Sequence, residues 1–131
     1  MLLDTHIIHW WSAEPERLSP AAAKALDEAD ELAVSAISWF ELAWLARHER
    51  IILTIPLRSW LEQIAAQVRS IGITPAVAEM AVSLPSLFAG DTADRLMYAT
   101  AIEHGWRLVT KDERLRAVRG CDRTVLEGNR Y

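Results

Sequence analysis

The sequence predicts an α/β fold: a three-layer α/β/α sandwich around a central, mostly parallel sheet. Short apolar runs alternate along the chain with longer segments that carry helix-capping residues. Strands that alternate with helices are typical of a parallel sheet covered on both faces. The length of 131 residues, 51% of them hydrophobic, suits one compact core. We therefore expect a single domain over residues 1–131.

The predicted strands are short runs of mostly apolar residues. Strands buried on both faces are near-continuous in apolar side chains, unlike the alternating strands of half-exposed sheets. Each run is bounded by polar, glycine or proline residues that end a strand. In chain order, the strands are predicted at residues 1–3, 32–35, 71–74, 108–110 and 124–126.

The predicted helices are recognised by the residues that start and stop them. Ser19 suits an N-cap and Pro20 the first turn that follows it. Asp91 or Thr92 opens a later helix, which Gly105 closes. A helix also begins after the first strand. In chain order after that one, helices are predicted at residues 19–29, 38–50, 58–70, 75–84 and 92–104, with a loop at 87–90 and a helical turn or two at 113–118.

The overall charge does not exclude a polyanionic substrate. The formal net charge is −4 and the isoelectric point is near 5.5, which at first argues against a nucleic-acid partner. Five of the 18 acidic residues are candidate site residues, and setting them aside leaves 13 acidic against 14 basic residues. The acidity is thus concentrated in one candidate site.

The sequence indicates a cytoplasmic protein that is not embedded in a membrane. Cys121 is the only cysteine, so no internal disulfide can form, as is usual in a reducing compartment. The N-terminus reaches Asp4 without a basic segment, unlike a signal peptide. The longest apolar stretch, residues 32–46, contains Glu41 and is too short to span a bilayer.

Four carboxylates lie where an α/β sheet would bring them together. They are Asp4, Glu41, Asp94 and Asp112, with Asp91 as a close fifth. Ligands of open parallel sheets bind outside the carboxyl ends of the strands. Acids gathered there repel one another and raise each other's pKa values, and a divalent cation removes that cost. The pattern predicts a Mg²⁺ or Mn²⁺ site and metal-dependent phosphate chemistry.

Each of these acids also has a structural interpretation. Asp4 could form the turn after a strand, and Asp112 could cap a short helix. Glu41 could lie on the solvent-facing stripe of its helix. Asp91 and Asp94 resemble a capping arrangement, in which one of the pair only caps. We favour Asp94 as the metal-side acid and Asp91 as the cap or as a residue that supports the metal ligands.

Other catalytic patterns are missing from the sequence. The four histidines do not have the spacing of a zinc site, and no phosphate-binding glycine loop is present. Ser35 and Ser38 have no nucleophile-elbow setting. These observations disfavour zinc, nucleotide-cradling and serine-hydrolase chemistry.

The chain resembles the PIN-domain ribonucleases, in particular the VapC toxins of prokaryotic toxin–antitoxin pairs. The resemblance spans nearly the whole chain, from Met1 to about Leu115, with the motifs in the right order. The segments that carry it are Asp-Thr-His at 4–6, Val-Ser-Ala-Ile-Ser-Trp-Phe-Glu-Leu-Ala at 34–43, Asp-Thr-Ala-Asp-Arg-Leu at 91–96 and Leu-Val-Thr-Lys-Asp at 108–112.

The resemblance implies a Mg²⁺- or Mn²⁺-dependent ribonuclease, a homodimer, and a cognate antitoxin that covers the site. The family's acids fall on Asp4, Glu41, Asp94 (with Asp91 as an alternative) and Asp112. Arg95 and Lys111 are candidates to hold RNA phosphates. For the antitoxin, we expect an Arg that enters the acidic pocket, with Trp39 or Trp44 near its rim.

One alternative from another class is a non-catalytic phosphoacceptor or switch domain of the receiver type, which also gathers acids and Mg²⁺ at strand ends. Such domains usually have an adjacent acidic pair after the first strand, whereas Thr5 and His6 follow Asp4 here. A phosphatase with a D-x-D motif is disfavoured because position 6 is His.

Overall fold

Within the described residues, five parallel strands form one sheet in the order β3-β2-β1-β4-β5. This computed structural model describes residues 1–85, 91–111 and 125–127. The strands are β1 (Leu2–Leu3), β2 (Ala33–Ser35), β3 (Arg69–Ile71), β4 (Leu108–Thr110) and β5 (Val125–Glu127).

Six α-helices connect and cover these strands in the same part of the chain. A short 3₁₀ turn (Pro15–Arg17) joins the first two helices. None of the described helices is long and apolar enough to cross a membrane. The helices are α1 (Thr5–Ala13), α2 (Pro20–Glu28), α3 (Ala36–Arg47), α4 (Leu57–Ala65), α5 (Pro75–Ser83) and α6 (Thr92–His104).

The predicted α/β/α layering is confirmed by how the strand side chains alternate. Leu3 is paired in register with Val34 and Val109, and these three side chains pack on one face of the sheet with residues of α1, α2 and α4. Leu2, one residue earlier, packs on the opposite face with residues of α6. Because successive strand side chains point to opposite faces, each face of the sheet has its own helical cover.

Several predicted boundaries of helices and strands were wrong. Helix α3 begins at Ala36 rather than at Ser38, because the Ser35 hydroxyl accepts a hydrogen bond from the Ile37 amide and caps the helix. Strand β3 is Arg69–Ile71 rather than residues 71–74, so α4 ends earlier than predicted. β3 lies at an edge of the sheet, where exposed polar residues are tolerated. The predictions for residues 87–90 and 113–118 lie outside the described residues.

The strand order places a topological switch point beside β1. The chain moves from β1 to β2 and β3 on one side, then returns to β4 on the other side of β1. Where the connections from two neighbouring strands run in opposite directions, a crevice forms outside the carboxyl ends of those strands. Ligands of such sheets bind in this crevice. Asp4 follows β1 and Lys111 follows β4, so both lie at this crevice.

Candidate active site

Asp4 is fixed at the switch point by both of its carboxylate oxygens. Oδ1 accepts a hydrogen bond from the Ile7 amide at 3.0 Å, which makes Asp4 the N-cap of α1. Oδ2 accepts a hydrogen bond from the Thr110 hydroxyl at the end of β4. The side chain thus ties the start of one helix to the end of a neighbouring strand, and its position is defined by the sheet.

Burial raises the pKa of the Asp4 carboxyl above its ordinary value. The hydrogen bonds from Thr110 and Ile7 and the nearby Lys111 oppose this rise in pKa but do not cancel it. Only 6% of the residue is exposed, so water does little to solvate the charge. A buried carboxylate of this kind gains most from a cation beside it.

Glu41 is held towards the same crevice by a residue of another helix. The Thr5 hydroxyl donates to Glu41 Oε1 at 2.6 Å, although the two residues are 36 positions apart. Thr5 is buried, and its Oγ1 also lies 3.3 Å from the Ser38 hydroxyl. Ser38 in turn donates to the Met97 sulfur at 3.6 Å. Glu41 is therefore half-buried and oriented by Thr5, which favours the site interpretation over the solvent-stripe interpretation.

Asp91 and Asp94 form a reciprocal capping box at the start of α6. Asp91 Oδ1 accepts from the Asp94 amide at 2.9 Å, and Asp94 Oδ2 accepts from the Asp91 amide at 3.0 Å. Each side chain therefore bonds to the backbone of the other, so both acids cap the helix, and the assignment of Asp94 as the metal-side acid stays a prediction. Both also face the cavity described next, so the geometry does not separate their roles.

One cavity of about 420 Å³ joins these acids. Four of the five predicted site acids line it, and the fifth, Asp112, lies outside the described residues. The other lining side chains are apolar or basic, apart from the Thr5 hydroxyl. The full set of lining residues is Asp4, Thr5, His6, Phe40, Glu41, Trp44, Leu45, Asp91, Asp94, Met97 and Lys111.

The donor chemistry of the cavity fits a divalent cation. Its four carboxylates offer the hard oxygen ligands that Mg²⁺ and Mn²⁺ prefer. Across residues 1–85 and 91–111, no three His, Cys, Asp or Glu side chains are close enough to hold one ion. The acids thus share a cavity without meeting at one point. Burial of Asp4 is the structural feature that favours a cation there.

The histidine at the edge of this cavity is neutral at physiological pH. Burial, together with the charges of Lys111, His9 and Arg17, lowers the pKa of His6 to about 4. A neutral imidazole adds no positive charge to the cavity. Lys111 is the cation that lines it.

Two exposed aromatic side chains form the rim of the cavity on the side of α3. Phe40 is 66% exposed and Trp44 is 46% exposed, and both line the cavity beside Glu41. The Trp44 ring stacks on His48 with 3.9 Å between centroids. Trp39 lines a different, apolar groove and donates its indole N–H to Ser70. Of the two tryptophans expected near the rim, Trp44 is the one found there.

The second basic residue predicted to hold RNA has another role. The Arg95 guanidinium donates to the carbonyls of Ala81, Leu84 and Pro85, at and just beyond the end of α5. Such contacts satisfy carbonyls that a helix end leaves without a partner. Arg95 thus fastens α5 to α6, and Lys111 remains as the predicted basic residue in the cavity.

Three residues of the site were not predicted from the sequence: Thr5, Ser38 and Thr110. Thr5 and Thr110 orient the acids through hydroxyl hydrogen bonds, and the Ser38 hydroxyl lies 3.3 Å from that of Thr5. Thr5 and Thr110 stand next to or near predicted acids, and that adjacency is the one signal that could have identified them.

The chain matches the family model of the PIN domain over residues 1–120. It is 70% identical over 119 residues to Ribonuclease VapC22 of Mycobacterium tuberculosis, an alignment that covers 91% of this chain and 92% of that protein. Among solved structures, FitAcB from Neisseria gonorrhoeae is 26% identical with a TM-score of 0.68, covering 96% of each chain. A toxin-antitoxin complex from Klebsiella pneumoniae gives 23% identity and a TM-score of 0.70, covering 96% of this chain and 95% of that one.

Proposed function

The chain belongs to the PIN-domain family, as a VapC-type ribonuclease, and we propose that it is a metal-dependent endoribonuclease toxin of a type II toxin–antitoxin pair. Its substrate would be RNA, whose phosphodiester bonds it would hydrolyse at the acidic cavity. The observation that carries this proposal is the convergence of Asp4, Glu41, Asp91 and Asp94 on one cavity at the switch point of the sheet.

The proposed cofactor is Mg²⁺ or Mn²⁺, as one or two ions shared among Asp4, Glu41, Asp94 and Asp112, with Asp91 as a further ligand. The chemistry that such an ion supplies in phosphate hydrolysis is to lower the pKa of water and to stabilise negative charge on the phosphate oxygens. Burial of Asp4 supports this assignment, because the raised pKa of its carboxyl reflects a charge that is poorly solvated by the protein alone.

The side chains around the acids would orient the reaction. Thr110 and the Ile7 amide hold Asp4, and Thr5 holds Glu41, so neither carboxylate has to be ordered when RNA binds. Glu41 is more exposed to the cavity than Asp4. We therefore assign its carboxylate as the acceptor of a proton from the attacking water.

An antitoxin and a second copy of the chain are the proposed protein partners. The structural neighbour from Klebsiella pneumoniae is described as a toxin-antitoxin complex, which is a statement about that protein. In this chain, an acidic cavity with an aromatic rim at Phe40 and Trp44 suits a partner that offers an Arg beside apolar side chains. A guanidinium in the cavity would bond to the carboxylates and compete with the metal.

The receiver-type alternative finds no support in the site. The residue after Asp4 is Thr5, a buried side chain bonded to Glu41, where a receiver domain usually has a second acid. We therefore pursue the nuclease alone.

RNA cleavage with Mg²⁺, with Mn²⁺ and with EDTA tests the proposal. We expect cleavage with either ion, none in EDTA, and a loss of at least a hundredfold in Glu41→Gln, since a general base contributes about 10²–10⁴. Glu62→Gln, on α4 and away from the cavity, is the matched control. Cleavage that persists in EDTA, or that survives Asp4→Asn, Asp94→Asn and Asp112→Asn alike, would overturn the assignment.

A further inference from the structure

A second, smaller cavity adjoins the acidic one. Its volume is about 180 Å³, and it shares His6, Leu45 and Lys111 with the acidic cavity. The side chains that line it come from five separate parts of the chain: α1, the 3₁₀ turn, α3, the segment after α3, and the residue after β4. The complete lining is His6, His9, Trp10, Arg17, Leu45, Arg50, Ile51 and Lys111.

Three cations line this basic cavity, and Trp10 positions two of them. Trp10 is buried, with the Arg17 guanidinium 4.9 Å and the Lys111 ammonium 5.6 Å from its ring centroid. Contact with an indole face orients a cation while leaving its N–H donors available to a ligand. Arg50 is the third cation, on the chain segment that leaves α3.

The two cavities differ in sign of charge. The described residues that line the acidic cavity include four carboxylates, and those that line the basic cavity include three cations without a carboxylate. Glu14, which does not line the basic cavity, forms an ion pair with Arg17 at 3.7 Å. Arg50 and Lys111 therefore provide most of the positive charge of this cavity. Lys111 lines both cavities, which places the two within the reach of one side chain.

An RNA backbone has the charge pattern that this arrangement fits. It carries one negative charge per nucleotide, so when one phosphate lies at the nuclease centre another must lie a short distance away. In the acidic cavity, a bound divalent cation would contact the phosphate. In the basic cavity, guanidinium and ammonium groups can donate hydrogen bonds to a phosphate directly. An acidic protein segment would match the basic cavity alone and would leave the shared Lys111 unexplained.

We propose that the basic cavity binds an RNA phosphate neighbouring the scissile one, with Arg17, Arg50 and Lys111 as its cations. This subsite rests on the proposed ribonuclease function and adds to it. The RNA strand would then run from one cavity into the other.

The test is the binding of a short, fluorescein-labelled single-stranded RNA, followed by anisotropy over a range of salt concentrations. It is done in the Glu41→Gln background with Mn²⁺, so that the RNA stays intact. We expect Arg50→Gln and Arg17→Gln each to weaken binding several-fold. Each should also reduce the slope of log K against log [salt] by about 0.7, the value for one single-strand phosphate contact. Arg50→Lys should keep most of the slope.

Arg47→Gln is the matched control, since Arg47 ends α3 three residues before Arg50 and lines neither cavity. Equal weakening by Arg47→Gln would show a diffuse charge effect and overturn the subsite. Unchanged affinity and slope in both Arg50→Gln and Arg17→Gln would also overturn it, with thermal melts establishing that the variants are folded. Loss of antitoxin binding without loss of RNA binding would assign the cavity to an acidic protein segment instead.

These outcomes are separable from failure of the nuclease itself. If wild-type protein cleaves no RNA with Mn²⁺ and the Glu41→Gln protein binds none, the proposed function fails, and the subsite fails with it. If wild-type protein cleaves RNA while Arg50→Gln and Arg17→Gln match it in affinity and slope, only the subsite fails.

Discussion

The hydrogen bond from Thr5 to Glu41 gives the sharpest prediction about the site. Replacing Thr5 by Val keeps the shape of a buried side chain and removes the hydroxyl that donates to Glu41 at 2.6 Å. We expect RNA cleavage to fall, because Glu41 would then sample orientations away from the cavity. Thr5→Ser, which restores a hydroxyl, should recover most of the activity.

The size of the effect follows from the setting of this bond. A hydrogen bond to a charged group contributes about 1.5–3 kcal/mol, and Glu41 is only half-buried, so we take the lower end. If the whole of that energy serves to orient Glu41, its loss raises the activation free energy by the same amount. Since about 1.4 kcal/mol corresponds to a factor of ten in rate, we expect kcat to fall about tenfold. KM should change little, since Thr5 is only 4% exposed and its hydroxyl is bonded to Glu41.

Thr100→Val is the matched control for this experiment. Thr100 is also a buried helical threonine, but its hydroxyl donates to the Leu96 carbonyl within its own helix. Single-turnover cleavage and urea unfolding are measured for both variants. If Thr100→Val loses as much activity as Thr5→Val, or if Thr5→Val cleaves normally, the orienting role of Thr5 is refuted.

Three further predictions concern metal, capping and pH. Mn²⁺ at a hundredfold excess over Kd should add about 2.7 kcal/mol to the free energy of unfolding and so raise the melting temperature measured by calorimetry. Asp4→Asn should abolish that rise. Asp91→Asn should retain more cleavage activity than Asp94→Asn, because Asn is a good N-cap and Asp94 is the favoured metal-side acid; the reverse order of rates would exchange the two assignments. Burial lowers the pKa of His6 to about 4 and holds the pKa of His9 below its ordinary value of 6.5, so the unfolded chain takes up protons first and stability should decline as pH falls below about 6.5; in urea titrations at successive pH values, His6→Gln and His9→Gln should each remove part of that decline, and the double variant should flatten it most.

The sheet and most helices could be predicted from the sequence because their signals are local. The fully buried strands are continuous apolar runs, and Ser19 and Gly105 have the capping roles predicted for them. The position of β3 could not be predicted in this way. Its residues Arg69 and Ser70 are exposed, and they form a strand because β2 provides a hydrogen-bonding edge.

The acids could be predicted, but the hydroxyls that hold them could not. Thr5 meets Glu41 across 36 positions, and Thr110 meets Asp4 across 106. Contacts at such separations depend on which strands are neighbours, and no local pattern encodes that order. Arg95 shows the same limit, since the carbonyls it binds are brought to it by the packing of α5 on α6.

The same acids both cap helices and line the acidic cavity, so the capping and site interpretations of these residues do not compete. In a parallel α/β sheet, a helix that follows a strand begins at the strand's carboxyl end, where ligands bind. Asp4 caps α1 there, and Asp91 and Asp94 cap α6 facing the same cavity. An N-cap carboxylate is already fixed by backbone amides, so using it as a metal ligand requires little further ordering. A capping signal after a predicted strand therefore supports a site in this fold, and Glu41, which caps nothing, needs Thr5 to achieve the same fixed position.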